Sequence, residues 1–456
     1  MAITDRAGSV HEALRTRFPD AIVGPGDPDW DGARLAFNLL IDQQPEAVAR
    51  PESVAQTAEI VRAARDLGLR VHVQGSSHNT GPAGSLEGTL LVRLERMKAV
   101  EIDADARVAK VEAGTRWWDV VPQASELGLS ALHGSSPEIN VVGYSLGGGL
   151  GWQGRKHGLQ ANSVTAIEAV TADGEPLRVD ADTHADLFWA LRGGSGNFAV
   201  VTKIEFRLYP VDAFYAGAMF FGLDQAADVL HAWLEWTRQA PEEVTTAARI
   251  LKFPDLDLIP EIVRGRSFTI IDGAFLGGEG DGDELLSPLR ELEPQMDTFA
   301  MVPPAGLSEI HLDPVDPIPY LSCHSLVGEL PARTIDDVVA IVGPGSDTLV
   351  GLELRHGGGA LSRTAPHHGA IASFPGEYLT FGLAPVLDPA EVPALEADLA
   401  GLAGAFAPYD VGRYLNFAER PDDVEAMFPA GTMPRLREVK AKYDPDNAIR
   451  ANHEIG

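Results

Sequence analysis

The stretch that decides the fold is HGSSPEINVVGYSLGGGLGWQGRKHGL, from His133 to Leu159, which is the most strongly biased segment of the chain. Glycine has no Cβ, so a glycine-rich turn lets backbone N–H groups approach phosphate oxygens and bind a pyrophosphate without lysine. The run Gly147–Gly149 matches neither the G-x-G-x-x-G dinucleotide fingerprint nor the G-x-x-x-x-G-K-[ST] phosphate loop. Taken alone, the segment predicts a shaped turn and no particular ligand.

Two further glycine loops lie on either side of it. QGSSHN (Gln74–Asn79) follows a helix predicted from Pro51 to Leu67, with proline in the first turn, and a strand predicted over Arg70–Gln74. The second loop lies within LFWALRGGSGNFAVVT (Leu187–Thr202), between a short helix and a long strand that ends near Pro210. Each loop is therefore expected at a junction between regular elements.

The remaining periodicity predicts two hairpins and a second structural unit. The hairpins turn at 103–106 and at Asp173–Gly174. Beyond Pro210 the pattern predicts an antiparallel sheet with helices on one face. Its elements are a strand over 213–223, a helix after it, and strands near 245–253, 267–277, 348–356 and 377–387. The acidic and proline-rich segments 277–284 and 301–319 are expected to be surface loops.

Composition excludes several classes of function. A formal charge of -30 disfavours nucleic acid and anionic membranes as partners. The chain has one cysteine, Cys323, which excludes an intramolecular disulfide and a thiolate metal cluster. The adjacent His367 and His368 have no carboxylate cluster beside them, so no metal is expected. Because no signal peptide or membrane-spanning run is present, we expect a cytoplasmic protein.

Two further motifs lie in the tail of the chain: RYLNF and RLREVKAKYDPDNAIRANHEI. Together with the three loops, they resemble the berberine-bridge-enzyme-like flavoprotein oxidases of the vanillyl-alcohol-oxidase (p-cresol-methylhydroxylase, PCMH) superfamily. The resemblance implies an α+β fold: a PCMH-type FAD-binding domain of two α/β subdomains, formed by residues 1–210 and 409–456. A substrate-binding domain at 211–408 would lie between them, with an antiparallel sheet covered by helices.

The resemblance also implies one FAD, joined through its 8α-methyl carbon to His78. An imidazole nitrogen can form that bond, and the link raises the flavin potential. Doubly attached relatives add a cysteine whose position falls on Ser136, so a single covalent bond is expected here. The cofactor contacts implied are Gly75, Ser76, Ser77, His78, Asn79, Thr80, Gly114, Ser135, Ser136, Ile139, Gly143, Ser145, Gly148, Gly149, Val201, Asn416 and Asn452.

On the substrate side, the resemblance makes Tyr414 the catalytic base or substrate anchor. The alternative is that Tyr414 is a buried strand tyrosine whose hydroxyl is merely hydrogen-bonded. Leu150 replaces a tyrosine with which plant relatives support that base, so this route to alkoxide stabilisation is expected to be missing. Arg355 stands where sugar oxidases carry an acidic residue and is a candidate substrate contact, although a solvated strand-end arginine is the simpler interpretation.

The predicted activity is hydride transfer from a small alcohol, amine or secondary metabolite to FAD, with O2 as electron acceptor. Two alternatives stay open at this point: a dehydrogenase that avoids oxygen, and a flavin-bearing protein that binds or sequesters a metabolite. Ile139 lies where relatives differ between valine and leucine and thereby admit or block oxygen, and isoleucine does not decide between them.

Overall fold

The computed structural model describes residues 2–257 and 259–456, with side chains described from Val10 onward. Strands in this part of the chain form sheets of five, five, two and nine strands. The two-stranded sheet pairs Leu129–Ser130 with Tyr209–Pro210. The three larger sheets position the site.

The first sheet joins the two ends of the chain. Its strands lie in the spatial order Ile22–Val23, Ala47–Ala49, Thr89–Arg93, Arg70–Gln74 and Ile449–Arg450. The last pairing is parallel and brings the tail beside the strand that precedes the first glycine loop. The helix before that strand spans Val54–Asp66 and starts later than predicted, because the Ser53 hydroxyl accepts from the Gln56 N–H and leaves Pro51 outside.

The second sheet is antiparallel throughout and contains both predicted hairpins. Its strands lie in the spatial order Val100–Asp103, Val108–Glu112, Val200–Arg207, Val164–Val170 and Pro176–Asp180. The helices of this half are Ala2–Arg17, Trp30–Arg34, Val54–Asp66, Trp117–Glu126, Val141–Leu146, Gly154–His157 and Ala185–Leu191, and the tail adds Thr432–Tyr443. One apolar core joins the two five-stranded sheets to the tail, from Leu14 to Ile455.

The nine-stranded sheet forms the second unit. Its strands lie in the order Met296–Asp297, Phe214–Gly222, Ser267–Phe275, Val244–Lys252, Gly351–His356, Tyr378–Pro385, Tyr320–Val327 and Asp410–Gly412, and Ala300–Val302 also pairs with Phe214–Gly222. Four helices cover one face: Ala226–Thr237, Glu279–Arg290, Ala332–Val342 and Val392–Phe406. The expected α+β architecture, with helices on one side of an antiparallel sheet, is confirmed.

The two segments predicted to be surface loops are only partly so: most of 278–284 and all of 314–317 are exposed, as expected. Residues 279–284 form the start of the helix Glu279–Arg290, where Tyr215 packs so closely on Gly282 that an added Cβ would lie 2.2 Å from its ring. The segment 301–319 enters the interior: it contains a 3₁₀ turn at Pro304–Glu309, and His311 is 2% exposed. The strand Tyr320–Val327 and the helix Ala332–Val342 were not predicted.

Candidate active site

The glycine loops and the tail converge on one cavity of about 320 Å³ between the two units. That volume lies in the range of small-molecule sites. Most sequence-predicted site residues line its wall: Gly75, Ser76, Ser77, His78, Asn79, Thr80, Ser135, Ser136, Ile139, Gly143, Leu150, Val201, Arg355, Tyr414, Asn416 and Asn452. The cavity brings together residues that are up to 377 positions apart in the chain, from Gly75 to Asn452.

Four predicted contacts lie off the wall and act by shaping the backbone. A Cβ on Gly114 would lie 2.2 Å from the Leu94 carbonyl oxygen, and the Ser145 hydroxyl donates to the Val141 carbonyl at 2.7 Å. Gly148 and Gly149 have φ of +117° and +81°, which L-residues rarely adopt. These four positions hold the loops in place without facing the cavity.

Arg93, at the end of the strand Thr89–Arg93, supports the first glycine loop and was missed by the sequence analysis. Its Nη1 donates to the Ser77 hydroxyl at 2.6 Å, and Ser77 has a φ of +63°. Burial lowers the pKa of this guanidinium to about 10, which leaves it charged at neutral pH. A cation therefore stands beside the first glycine loop and would complement the charge of a pyrophosphate bound there.

His78 is fixed on one face and one edge. Its ring stacks on Phe37 with centroids 3.6 Å apart and planes 18° from parallel. Its Nε2 lies 3.1 Å from Oε1 of Glu138, whose side chain is 1% exposed. His78 lines the cavity and Glu138 does not, so the carboxylate stands behind the ring.

Several buried polar atoms on the cavity wall have no hydrogen-bond partner among residues 2–257 and 259–456. Those that also have no ion-pair partner are Asn79 Oδ1, Thr80 Oγ1 and Asn452 Oδ1, whereas His78 Nε2 and Arg450 Nε each lie near a carboxylate. Buried polar groups are normally hydrogen-bonded, so these atoms indicate a polar ligand. The Gly147 backbone lies so close to the tail that a Cβ at this position would be 1.7 Å from Asn416 Oδ1. The residues present fit a flavin nucleotide that contacts both the first loop and the tail.

Tyr414 is buried in the turn before Leu415–Phe417, not in a strand, and lines the cavity. Burial raises the pKa of its phenol to about 12, although the backbone N–H groups of Leu150 and Gly149 oppose the rise. Asn416 Nδ2 also donates to the phenol oxygen, at 3.3 Å. Tyr414 is therefore a neutral hydroxyl at neutral pH, and the backbone N–H groups of Leu150 and Gly149 contact its oxygen.

Arg355 is not a solvated strand-end residue, so that interpretation was wrong. Its side chain is 16% exposed, forms an ion pair with Glu353 and donates to Ser135 Oγ at 3.1 Å. His311 Nε2 lies 3.3 Å from Glu353 Oε1, and its Nδ1 lies 2.8 Å from Asp272 Oδ2. The cavity wall thus contains a charged network that the sequence analysis found only in part.

This network keeps His311 protonated. Burial and the nearby Arg249 lower its pKa, but Asp313, Asp272 and Glu353 outweigh them and raise it to about 9. Arg249 itself pairs with Asp272 at 2.6 Å, with side chains 4% and 0% exposed. The buried carboxylates are therefore matched by three cations: Arg249, His311 and Arg355.

Ser136 stands where the resemblance places the cysteine of doubly attached relatives. Its hydroxyl donates to Asp313 Oδ2 at 2.5 Å, and Ser135 donates to the same oxygen at 2.9 Å. Cys323 packs with the helices on the opposite face of the nine-stranded sheet, and burial raises the pKa of its thiol to about 11. The thiol is therefore remote from the cavity and mostly unionised.

The described part of the chain shows neither a metal-binding cluster nor a membrane-spanning helix. Among the described side chains, from Val10 onward and without residue 258, no three His, Cys, Asp or Glu are arranged to hold a metal ion. The rings of His367 and His368 lie edge to face at 4.7 Å. None of the helices described is long and apolar enough to cross a bilayer.

Two family models match the chain. Residues 45–180 match the FAD binding domain, and residues 413–456 match the berberine and berberine-like model. The chain is similar to the FAD-linked oxidoreductase YgaK of Bacillus subtilis, with 26% identity covering 97% of this chain and 98% of the relative. It is also similar to (R)-6-hydroxynicotine oxidase of Paenarthrobacter nicotinovorans, with 26% identity covering 93% of each.

The fold is shared with a solved structure of glucooligosaccharide oxidase from Acremonium strictum, an enzyme with a 6-S-cysteinyl, 8α-N1-histidyl FAD. The TM-score is 0.81 at 23% identity, covering 98% of this chain and 99% of that one. Both domain matches fall on the segments that build the cavity. The two domain matches and these relatives together support a berberine-bridge-enzyme-like FAD-linked oxidase with the PCMH-type fold.

Proposed function

We propose that this enzyme holds its FAD through a single covalent bond from His78 to the 8α carbon and oxidises a small organic molecule with it. One observation carries the proposal: His78 and Tyr414, from opposite ends of the chain, line the same cavity as the three glycine loops. The related glucooligosaccharide oxidase uses histidyl and cysteinyl bonds. Ser136 in this chain leaves only the histidyl bond available.

The bound FAD would accept a hydride from a C–H bond that bears an OH or NH group. Tyr414, as a neutral phenol, would hydrogen-bond that group and fix the C–H bond for transfer. Arg355 and Glu353 on the facing sheet present a cation and a carboxylate to the rest of the substrate. This charged wall favours a polar substrate over a purely apolar one.

We propose O2 as the electron acceptor, which makes the enzyme an oxidase. The second candidate is a dehydrogenase that avoids oxygen, because Ile139 lies on the cavity wall and its side chain does not distinguish the two activities. Steady peroxide formation in air during substrate turnover would support the oxidase. Turnover with an artificial acceptor and no peroxide would support the dehydrogenase.

The covalent bond is tested by acid precipitation of the purified protein. We expect yellow colour to stay with the precipitate in the wild type and to leave it in His78→Ala. The matched variant Cys323→Ser should keep the colour, because the thiol packs away from the cavity. Wild-type protein that stays colourless after incubation with excess FAD would refute the proposal.

We further propose a cytoplasmic location. The single cysteine is compatible with a reducing compartment. Fractionation of the native host, with the antigen in the soluble cytoplasmic fraction, is the expected result.

A further inference from the structure

We infer that Glu138 is a positioning residue that orients His78 and takes up its proton when the histidyl–FAD bond forms. The inference rests on the proposed attachment at His78. Glu138 does not line the cavity, so it acts on the cofactor only through the imidazole. Its role is distinct from that of His78, which forms the bond.

The Glu138 carboxylate lies beside one nitrogen of the His78 ring. Phe37 covers one face of the imidazole, and Glu138 Oε1 lies 3.1 Å from Nε2. The contact is not linear enough for a hydrogen bond, as is common for catalytic pairs before a ligand tightens them. Because Nε2 is the nitrogen beside Glu138, Nδ1 is the nitrogen left to bond the cofactor.

The Glu138 turn is itself held in place by backbone bonds. The Trp117 N–H donates to the Ile139 carbonyl at 3.1 Å, and the Trp118 N–H donates to the Pro137 carbonyl at 2.9 Å. The residues on both sides of Glu138 are therefore fixed to the start of the helix Trp117–Glu126. A carboxylate on such a support can hold an imidazole in one orientation.

The Glu138 carboxylate is buried without a hydrogen bond that would compensate its charge. The Glu138 side chain is 1% exposed, and among the described residues neither carboxylate oxygen has a hydrogen-bond partner. A buried carboxylate costs free energy unless a cation or hydrogen-bond donor compensates it. His78 is the ion-pair partner that the structure provides. A permanently paired structural carboxylate would have further donors around it, as Asp444 has from Lys440 and two backbone N–H groups.

The chemistry follows from the tautomer. With its proton on Nε2, beside Glu138, His78 would offer the Nδ1 lone pair to the 8α carbon of a bound FAD. Glu138 would take the Nε2 proton as positive charge develops on the imidazole, as a buried Asp supports the histidine of a hydrolase triad. The new N–C bond would replace one N–H bond of His78 and one C–H bond of the methyl. FAD would supply the two-electron oxidation, and O2 would then carry away both electrons and both hydrogens as peroxide.

Glu419 is a second buried carboxylate that interacts electrostatically with His78. Both of its oxygens are occupied: Tyr320 donates to Oε1 at 2.7 Å and Ser322 donates to Oε2 at 2.5 Å. Burial raises the pKa of Glu419, although those two hydroxyls and His78 oppose the rise. Because both oxygens of Glu419 already accept hydrogen bonds, Glu419 is less available to take the His78 proton than Glu138, whose oxygens have no hydrogen-bond partner among the described residues.

The test follows attachment directly and does not depend on substrate turnover. Apo-protein is mixed with FAD, samples are denatured in acid at intervals, and in-gel flavin fluorescence gives the covalent fraction per FAD bound. We expect Glu138→Gln to bind FAD but attach it about 100-fold more slowly, because losing a general base costs about 10²–10⁴-fold. The residual rate should rise with pH, since hydroxide replaces the carboxylate.

Glu419→Gln is the matched control and should attach FAD at the wild-type rate. If Glu138→Gln retains no FAD, Glu138→Ala with added formate decides: formate-dependent attachment supports the inference, and formate-independent attachment overturns it. Equal rates in the wild type and Glu138→Gln, or equal slowing in Glu419→Gln, would also overturn it. A wild type that binds FAD but never attaches it would instead refute the proposed covalent bond.

Discussion

His311 allows a quantitative test of the charged network, because its protonation should stabilise the folded protein in one pH window. Its pKa is raised from 6.5 to about 9. A raised pKa contributes stability that is complete below the unfolded value and is lost as pH rises through the folded value. The contribution is therefore present at about pH 6.5 and disappears by about pH 9.5. With 1.36 kcal/mol for each pKa unit, it amounts to about 3 kcal/mol.

The perturbation is His311→Asn, which keeps an N–H donor for Asp272 but cannot carry the charge. Stability is measured by urea unfolding, followed by tryptophan fluorescence, at several values between about pH 6.5 and about pH 9.5. Wild type should lose about 3 kcal/mol across this window relative to the variant. His133→Asn is the control: burial lowers the pKa of His133 to about 4, so it is neutral throughout the window. Equal pH slopes in wild type and His311→Asn would refute the argument.

Two further predictions concern residues on and off the cavity wall. Tyr414→Phe should bind and attach FAD normally but slow anaerobic flavin bleaching by substrate about 100-fold, as measured by stopped flow, because the hydroxyl that aligns the substrate is gone; an unchanged rate would remove Tyr414 from the mechanism. Gly114→Ala should lower the free energy of unfolding by about 1–3 kcal/mol, since its Cβ would meet the Leu94 and Met97 carbonyls. FAD content per folded Gly114→Ala molecule should be unchanged, and lost FAD without lost stability would make Gly114 a direct contact.

The parts of the fold that the sequence predicted are those with local causes. Strand Arg70–Gln74 and the two hairpins depend on alternation and turn residues within a few positions, and they were located almost to the residue. The glycine loops were recognised because close backbone approach restricts residue type, as Gly147 and Gly149 show. Where the loops lie in space depends on the tail, whose strand Ile449–Arg450 pairs with residues more than 370 positions earlier.

The helix Glu279–Arg290 shows where local reasoning fails. Three glycines and several acidic residues near its start predict a loop by propensity. Tertiary packing overrides that preference, because only glycine at 282 lets the helix approach the Tyr215 ring, and Asp283 accepts from the Tyr215 hydroxyl at 2.6 Å. The contact joins segments about 70 residues apart, and nothing in the local sequence announces it.

The charged network around His311 was missed for a different reason, although the sequence contains a pattern that indicates it. Because charged residues are almost never buried alone, an acidic segment such as 301–319 is expected to be a surface loop. Yet three apolar strand runs each carry isolated charges: Arg249, Asp272, and the pair Glu353 and Arg355. In the sheet, Arg249 is directly opposite Glu353, and Ala247 is opposite both Asp272 and Arg355. All four charges therefore lie on the face away from the helices, where opposite signs compensate each other's burial. Isolated charges of both signs in neighbouring apolar strands thus predict one buried network, and His311 completes it from the loop that had been assigned to the surface.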